Sequence, residues 1–200
     1  NISFTIYEDE ITCLFVPNPT ERSALLSLLT GKMDVTKGYI YFDGNPVEKI
    51  GRKIHVVRRE NQLVTRMNIA ENLFLTSERI YSFGNLKRKE MYVMAHQILH
   101  EAHLGHMSPK TPIYLLTAVE KNYIELLKAV SSDAKVLVLE DITGIYRPYE
   151  LERLKRLLYH LKDRGTSVVY ITDKKTELLD MIERMIFIWK GMTMANVVCE

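Results

Sequence analysis

Val136-Leu-Val-Leu139 is an unbroken apolar run, and a second, Ser167-Val-Val-Tyr-Ile171, follows after a segment over 149–162 that reads as a helix. Strands apolar at every position suit a parallel sheet, where helices cover both faces. A helix between two such strands is a βαβ unit, here turned at Gly165. The fold class that follows is α/β.

Outward from that unit, Ile2–Tyr7 and Glu10–Val16 read as strands joined by a Glu-Asp turn, and Ser23–Thr30 as a helix stopped by Gly31. Gly38–Phe42 is expected as a strand entering an Asp43-Gly44 turn, and Lys53–Val57 as another strand. Asn68 is placed to cap a helix over Asn68–Leu75. Helical periodicity then dominates Asn85–Val130, broken at Gly105, Pro109 and Pro112, with Leu116–Val130 as its last long helix. Thr176–Arg184 reads as helical, and Met185–Trp189 as a final strand closing into Lys190-Gly191. The expected organisation is one domain over 1–200. It has a β-rich N-terminal part, a parallel-sheet core from about 1–75 and 131–200, and a helical lobe over about 76–130.

Two hundred residues with 46% apolar and 26% charged content suit one sizeable core and argue against a second full domain. A formal charge of +2 does not by itself imply nucleic acid or an anionic membrane, and no uncharged apolar run is long enough to span a bilayer. Cys13 falls in an expected core strand and Cys199 near the C-terminus, so a disulfide framework is not expected and a reducing, cytoplasmic setting is. No signal peptide opens the chain, which begins with a strand already under way; a preceding segment is therefore expected.

The strand-to-helix connection is Leu14-Phe-Val-Pro-Asn-Pro-Thr-Glu-Arg-Ser-Ala-Leu25. A phosphate-binding loop of the form GxxxxGK[ST] would sit here. Its glycines let successive backbone N–H groups converge on one anion while a Lys reaches the phosphates. Val16, Pro19 and Glu21 fill the glycine places. Pro19 has no N–H, Val16 resists positive φ, and Glu21 brings a carboxylate toward a polyphosphate. Two like charges ~4 Å apart repel by ~4 kcal/mol at an effective dielectric of ~20, roughly a thousandfold in affinity. Arg22 keeps the positive charge and Ser23 the hydroxyl.

Four further segments carry a family likeness. Gly38-Tyr-Ile-Tyr-Phe-Asp-Gly-Asn-Pro-Val47 matches G-x-I-x-F-x-G-x-P-V, and Asn68-Ile-Ala-Glu-Asn-Leu-Phe-Leu75 matches S-V-A-E-N-I-F-L. Leu116-Thr-Ala-Val-Glu120 stands where L-S-G-G-Q would, and Val136-Leu-Val-Leu-Glu-Asp-Ile-Thr143 resembles a Walker B strand. In order and spacing the whole chain resembles the nucleotide-binding domain of ATP-binding cassette (ABC) ATPases, closest to sugar-importer ATP-binding proteins. The resemblance implies a P-loop NTPase-like fold.

It also implies positions for chemistry, and each is altered. Thr117, Ala118 and Val119 replace the Ser and two glycines that cap the γ-phosphate of the opposite subunit's ATP. The metal-sensing Gln aligns with Arg59, with Gln62 three positions on. Walker B's Asp-Glu is inverted to Glu140-Asp141, misplacing each carboxylate by roughly 1.5 Å. The switch His aligns with Asp173 and the D-loop Asp with Arg147, while Tyr7 is not by position the aromatic platform for adenine.

These substitutions point to a degenerate domain that does not hydrolyse ATP and acts as a binding or regulatory module. No catalytic residue is expected intact at Glu140, Asp141, Asp173 or Arg59, and no metal site is expected. Asn18, Arg22 and Ser23 form the remnant phosphate loop, whose helix N–H groups near Arg22 and Ser23 suit a sulfate or phosphate. No cofactor is expected, with weak ATP/Mg binding as the alternative. The partner expected is a second copy, a second ABC subunit or a membrane permease, docking around Arg59–Asn68 and the lobe at the inner face of the membrane. Two other readings stay open: an importer's ATP-binding subunit in an asymmetric dimer, and a regulatory domain of a transcription or signalling protein.

His96, His100 and His103 share one helical stripe with His106 just beyond, which admits an imidazole metal site. The interleaved Ile98, Leu99, Ala102 and Leu104 make the simpler reading a solvated polar face. Arg58, Arg59 and Lys87-Arg88-Lys89 read as solvated turns, and no nucleic acid is expected through this domain. Glu140 and Asp141, adjacent at a strand end, point to opposite faces and do not form a carboxylate pair.

Overall fold

The computed structural model describes residues 2–47, 53–58, 60–75, 81–82, 85–132 and 134–199. The chain divides into two compact units, one of Asn1–Arg58, Ala134–Gly144 and Leu161–Glu200, the other of Arg59–Asp133 and Ile145–His160.

The first unit contains β1 (Ile11–Phe15), α1 (Pro19–Leu29), β2 (Ile40–Phe42), β3 (Asn45–Val47) and β4 (Ile54–Arg58). The second holds α2 (Ile69–Leu73), β5 (Tyr81–Ser82), β6 (Asn85–Leu86), α3 (Arg88–Glu101) and α4 (Ala118–Ser131). The chain then supplies β7 (Val136–Glu140) to the first unit and α5 (Pro148–Asp163), which starts in the second unit and ends in the first. It finishes with β8 (Ser167–Thr172), β9 (Arg184–Trp189) and β10 (Met192–Val198) in the first.

A six-stranded sheet in the order β10-β9-β1-β8-β7-β4 forms the first unit's core. Its five strands from β9 to β4 are parallel, as the fully apolar runs require. Leu14 stands between Ile171 and Ile186 in register, and α1 lays Leu25, Leu26 and Leu29 onto the same side together with Val138, Val169 and Ile188. The parallel direction gathers the C-terminal ends of β1, β4, β7 and β8 along one edge, where α/β sheets place ligand sites.

Four expectations are corrected. Residues 2–7 form no strand: Phe4 and Ile6 pack inward, but Ser3 is held by the Thr193 hydroxyl through its N–H and its carbonyl rather than by a ladder. β9 is not the last strand, because Lys190 (φ 48°) and Gly191 (φ 68°) make a tight turn that returns the chain as β10, antiparallel to β9. Thr176–Arg184 is not a helix. The Thr176 hydroxyl accepts from Leu178 N at 3.1 Å, a single 3-10 turn covers Leu179–Met181, and Glu183 N donates to Ile11 O at 2.9 Å, so the sheet claims the rest. Finally, α1 starts at Pro19, four residues before Ser23.

In the second unit, capping boxes start two helices. Asn68 and Glu71 close the N-terminus of α2, and Thr117 and Glu120 that of α4. The Tyr123 hydroxyl of α4 donates to Glu150 O of α5 at 2.8 Å. Among the described residues, no helix is long and apolar enough to cross a membrane.

Candidate functional site

The start of α1 is built from its cap. Asn18 Oδ1 accepts from Thr20 N at 2.9 Å and from Glu21 N at 3.2 Å, and Pro19 at the first helical position has no N–H. Arg22 N already donates to Asn18 O at 3.0 Å, in helical register. The first-turn amides are therefore spent within the helix, which corrects the expectation of free N–H groups near Arg22 and Ser23. Val16, at the first glycine place, is fully buried in the core and donates its N–H to Thr172 O at 2.8 Å. Glu21 turns to the β9–β10 turn, its Oε1 accepting from Gly191 N at 2.9 Å.

Arg22 reaches back over the strand ends. Its NH1 lies 2.9 Å from Asp173 Oδ2 and donates to Val16 O at 3.3 Å, and its Nε is 4.0 Å from Glu140 Oε1. Arg58, paired with Glu140 in the β4–β7 register, closes on the other oxygen at 3.2 Å. Asp141 has φ 45° and meets Lys174 at 3.2 Å. Beneath them Tyr170 shares a hydrogen bond of 3.1 Å with Thr143; burial pushes its phenol pKa up, a shift the Thr143 bond opposes and the Asp141 charge reinforces. Glu140 and Asp173 thus converge on Arg22, while Asp141 faces a different cation. Ser23 is exposed, and its carbonyl accepts from Ser27 Oγ at 2.8 Å. Arg59 lies outside the described residues.

The sequence reading missed two members of this cluster, Arg58 and Lys174. Arg58 was noted only as part of a basic pair. Arg58 is the last residue of β4, and its register with Glu140 comes from the folded sheet, so no sequence signal marked it.

In the second unit, Thr117 N and Oγ1 both donate to Glu120 Oε2, at 2.8 and 2.9 Å, and Glu120 N donates to Thr117 Oγ1 at 3.2 Å. Thr117 N and its hydroxyl are thereby occupied by the helix's own carboxylate. Arg147 N donates to Glu150 Oε2 at 2.8 Å at the start of α5. His96, His100, His103 and His106 are all exposed, and among the described residues no three His, Cys, Asp or Glu gather as for a metal ion.

A parallel sheet whose β1–α1 turn faces the ends of β7 and β8 is the frame of an ATP-binding cassette, and the ABC transporter family model matches residues 1–144. The chain belongs to the ABC transporter family. The ribose import ATP-binding protein RbsA of Hahella chejuensis is 29% identical over 197 residues, covering 96% of this chain and 39% of the relative. That of Yersinia pestis is 28% identical over 191 residues, covering 92% of this chain and 37% of the relative. This ABC chain thus spans less than two fifths of the length of the curated relatives it matches.

Solved structures agree on the ABC fold. The ADP conformation of MJ1267, an ATP-binding cassette of an ABC transporter, superposes with a TM-score of 0.80 at 18% identity, covering 100% of this chain and 84% of that one. A dimeric post-hydrolysis state of the ATP-binding cassette MJ0796 bound to ADP and Pi gives 0.80 at 19% identity, covering 100% and 90%.

Proposed function

We propose that this ABC-family chain has lost productive ATP chemistry and serves as a binding or regulatory module. In this reading the two units form one ABC-type domain, an α/β core and a helical lobe. The observation that carries it is Arg22. The one cation left in the phosphate loop is tied to Asp173 and Glu140, while Asn18 consumes the amides beside it. Three cations and three carboxylates balance across the cluster of Arg22, Arg58, Lys174, Glu140, Asp141 and Asp173, leaving no excess positive charge for a triphosphate. With Arg22 paired and the first-turn amides taken by Asn18, the residues present do not fit Mg-ATP.

The relatives' names suggest that the whole protein serves sugar import. The partner in that setting is a second ABC subunit, a second copy or a membrane permease at the cytoplasmic face of the membrane, docking on the residues about 59–68 and the helical unit. A second reading, an ATP-binding subunit in an asymmetric dimer, is favoured by Ser23, which is exposed and keeps in sequence the hydroxyl of the phosphate-loop motif.

Titration with a fluorescent ATP analogue and Mg²⁺ tests the proposal. No saturable binding below ~1 mM, about −4 kcal/mol, is expected. Saturable, Mg²⁺-dependent binding in the micromolar range, or hydrolysis above buffer background, overturns it.

A further inference from the structure

In the second unit, the loop after β4 spends three consecutive backbone donors on three different side chains. Gln62 N donates to Glu125 Oε2 at 3.3 Å, Leu63 N to Asn61 Oδ1 at 3.4 Å, and Val64 N to Asn72 Oδ1 at 2.7 Å. Asn72 returns the bond, its Nδ2 donating to Val64 O at 3.1 Å and to Asn68 O at 3.0 Å, and Met67 N adds a second donor to Val64 O at 3.0 Å.

The two side chains that hold the loop from outside it are both buried. Asn72 is fully buried on α2 and Glu125 is 1% exposed on α4. Glu125 keeps its charge partner inside the same unit, with Lys128 Nζ 3.2 Å from its other oxygen. A buried polar atom that gives up a hydrogen bond bears a desolvation penalty, so moving the loop would cost Asn72 Oδ1 its bond from Val64 N and Glu125 Oε2 its bond from Gln62 N. Loops that change state with a ligand have the opposite character, with few buried partners and solvent-exposed backbone hydrogen bonds. The backbone of Gln62, the glutamine three positions beyond Arg59, is therefore held by Glu125 of α4.

We propose that Glu125 and Asn72 form a latch that holds residues 62–64 in one conformation with or without nucleotide. The loop offers a partner a constant surface rather than a reporter of the ATP site. The inference rests on the proposed loss of ATP chemistry for its meaning, but its geometry stands separately.

Amide hydrogen exchange on the intact chain, resolved to single residues, tests it. In the native protein, Gln62, Leu63 and Val64 should exchange at least tenfold more slowly than exposed loop amides, with no change on adding 5 mM Mg-ATP. Glu125→Ala should accelerate Gln62 at least tenfold while Val64 stays protected. Glu125→Gln, which keeps an acceptor oxygen, should restore protection at Gln62; a merely structural loss would instead speed all amides of α4 together. Unprotected native amides, or unchanged Gln62 exchange in folded Glu125→Ala, overturn the latch. If the alanine variant does not fold, the native pattern and Glu125→Gln decide. Nucleotide binding measured on the same native sample separates the two ideas: saturable ATP binding with unchanged loop exchange sinks the proposed function and leaves the latch standing, whereas exchange that shifts on ATP addition sinks the latch.

Discussion

Arg22 and Asp173 meet at 2.9 Å across the ends of α1 and β8, so the cation that follows the strand-to-helix loop is held by the residue after Thr172. The Arg22 side chain is 17% exposed and that of Asp173 35%, so solvent screens the pair and its worth is modest. A double-mutant cycle with Arg22→Ala and Asp173→Ala, read by denaturant unfolding, should give a coupling of about 0.5–1 kcal/mol. A coupling of zero would mean that Arg22 is not held there.

On the proposed loss of ATP chemistry, rebuilding the loop should raise binding before it raises hydrolysis. Val16 is fully buried and best left in place, since removing its side chain opens the core. Pro19→Gly, Glu21→Gly and Arg22→Lys together return an amide, remove a carboxylate and free Asp173. The triple variant should bind Mg-ATP at least tenfold more tightly than the native chain in the same fluorescence titration. It should still release no phosphate above background, because Glu140 and Asp141 keep their inverted order.

The cap on α1 should be worth an ordinary cap. Asn18→Ala leaves Thr20 N and Glu21 N without their acceptor, which costs about 1 kcal/mol. A thermal melt should show Tm several degrees lower, and Asn18→Asp should recover most of the loss. An unchanged Tm would show that the loop does not depend on its cap.

The parallel core was legible because Val136–Leu139 and Val168–Ile171 are apolar at every position, which few other arrangements bury. The start of α1 was not, because reading the stretch as a worn phosphate loop hid what Asn18-Pro19 says plainly: a cap followed by a first-turn proline. Residues 2–7 alternate like a strand, yet alternation reports only which side chains turn inward, not whether the backbone finds a ladder. β10 escaped because Asn196 and the register shift between Thr193 and Ala195 blur its pattern. At the site, Glu140, Asp141, Asp173 and Arg22 could be named from sequence, but the other two cations could not. Arg58 and Lys174 are joined to them by strand register and turn geometry, which no local pattern encodes.

The two cysteines should differ in reactivity. Cys13 is buried in β1, and burial, with a smaller contribution from Cys199, pushes its thiol up to about 12; Cys199 is half-buried. Since the thiolate is the reactive form, a thiol reagent at pH 8 should label one cysteine per folded chain and two in denaturant. Peptide mapping should place the native label on Cys199. Fast native labelling of Cys13 would mean that β1 opens.

Acid should weaken the first unit through Glu183. Its carboxylate accepts from Ile11 N at 2.9 Å and from Lys162 Nζ at 2.6 Å, joining β1 to the end of α5. Burial pushes its pKa up, but the Lys162 and Ile11 hydrogen bonds with the Lys162 charge outweigh that and leave it below the ordinary 4.5. A carboxylate whose folded value is depressed stabilises fully above its unfolded value and loses that contribution as pH falls through the folded one. Unfolding followed from pH 7 downward should therefore show stability flat with respect to this group until about 4.5 and declining below it. Glu183→Gln should be less stable than the native chain at pH 7, and the gap should shrink below that point. A gap that stays constant into acid would show that the Glu183 charge contributes nothing to the fold.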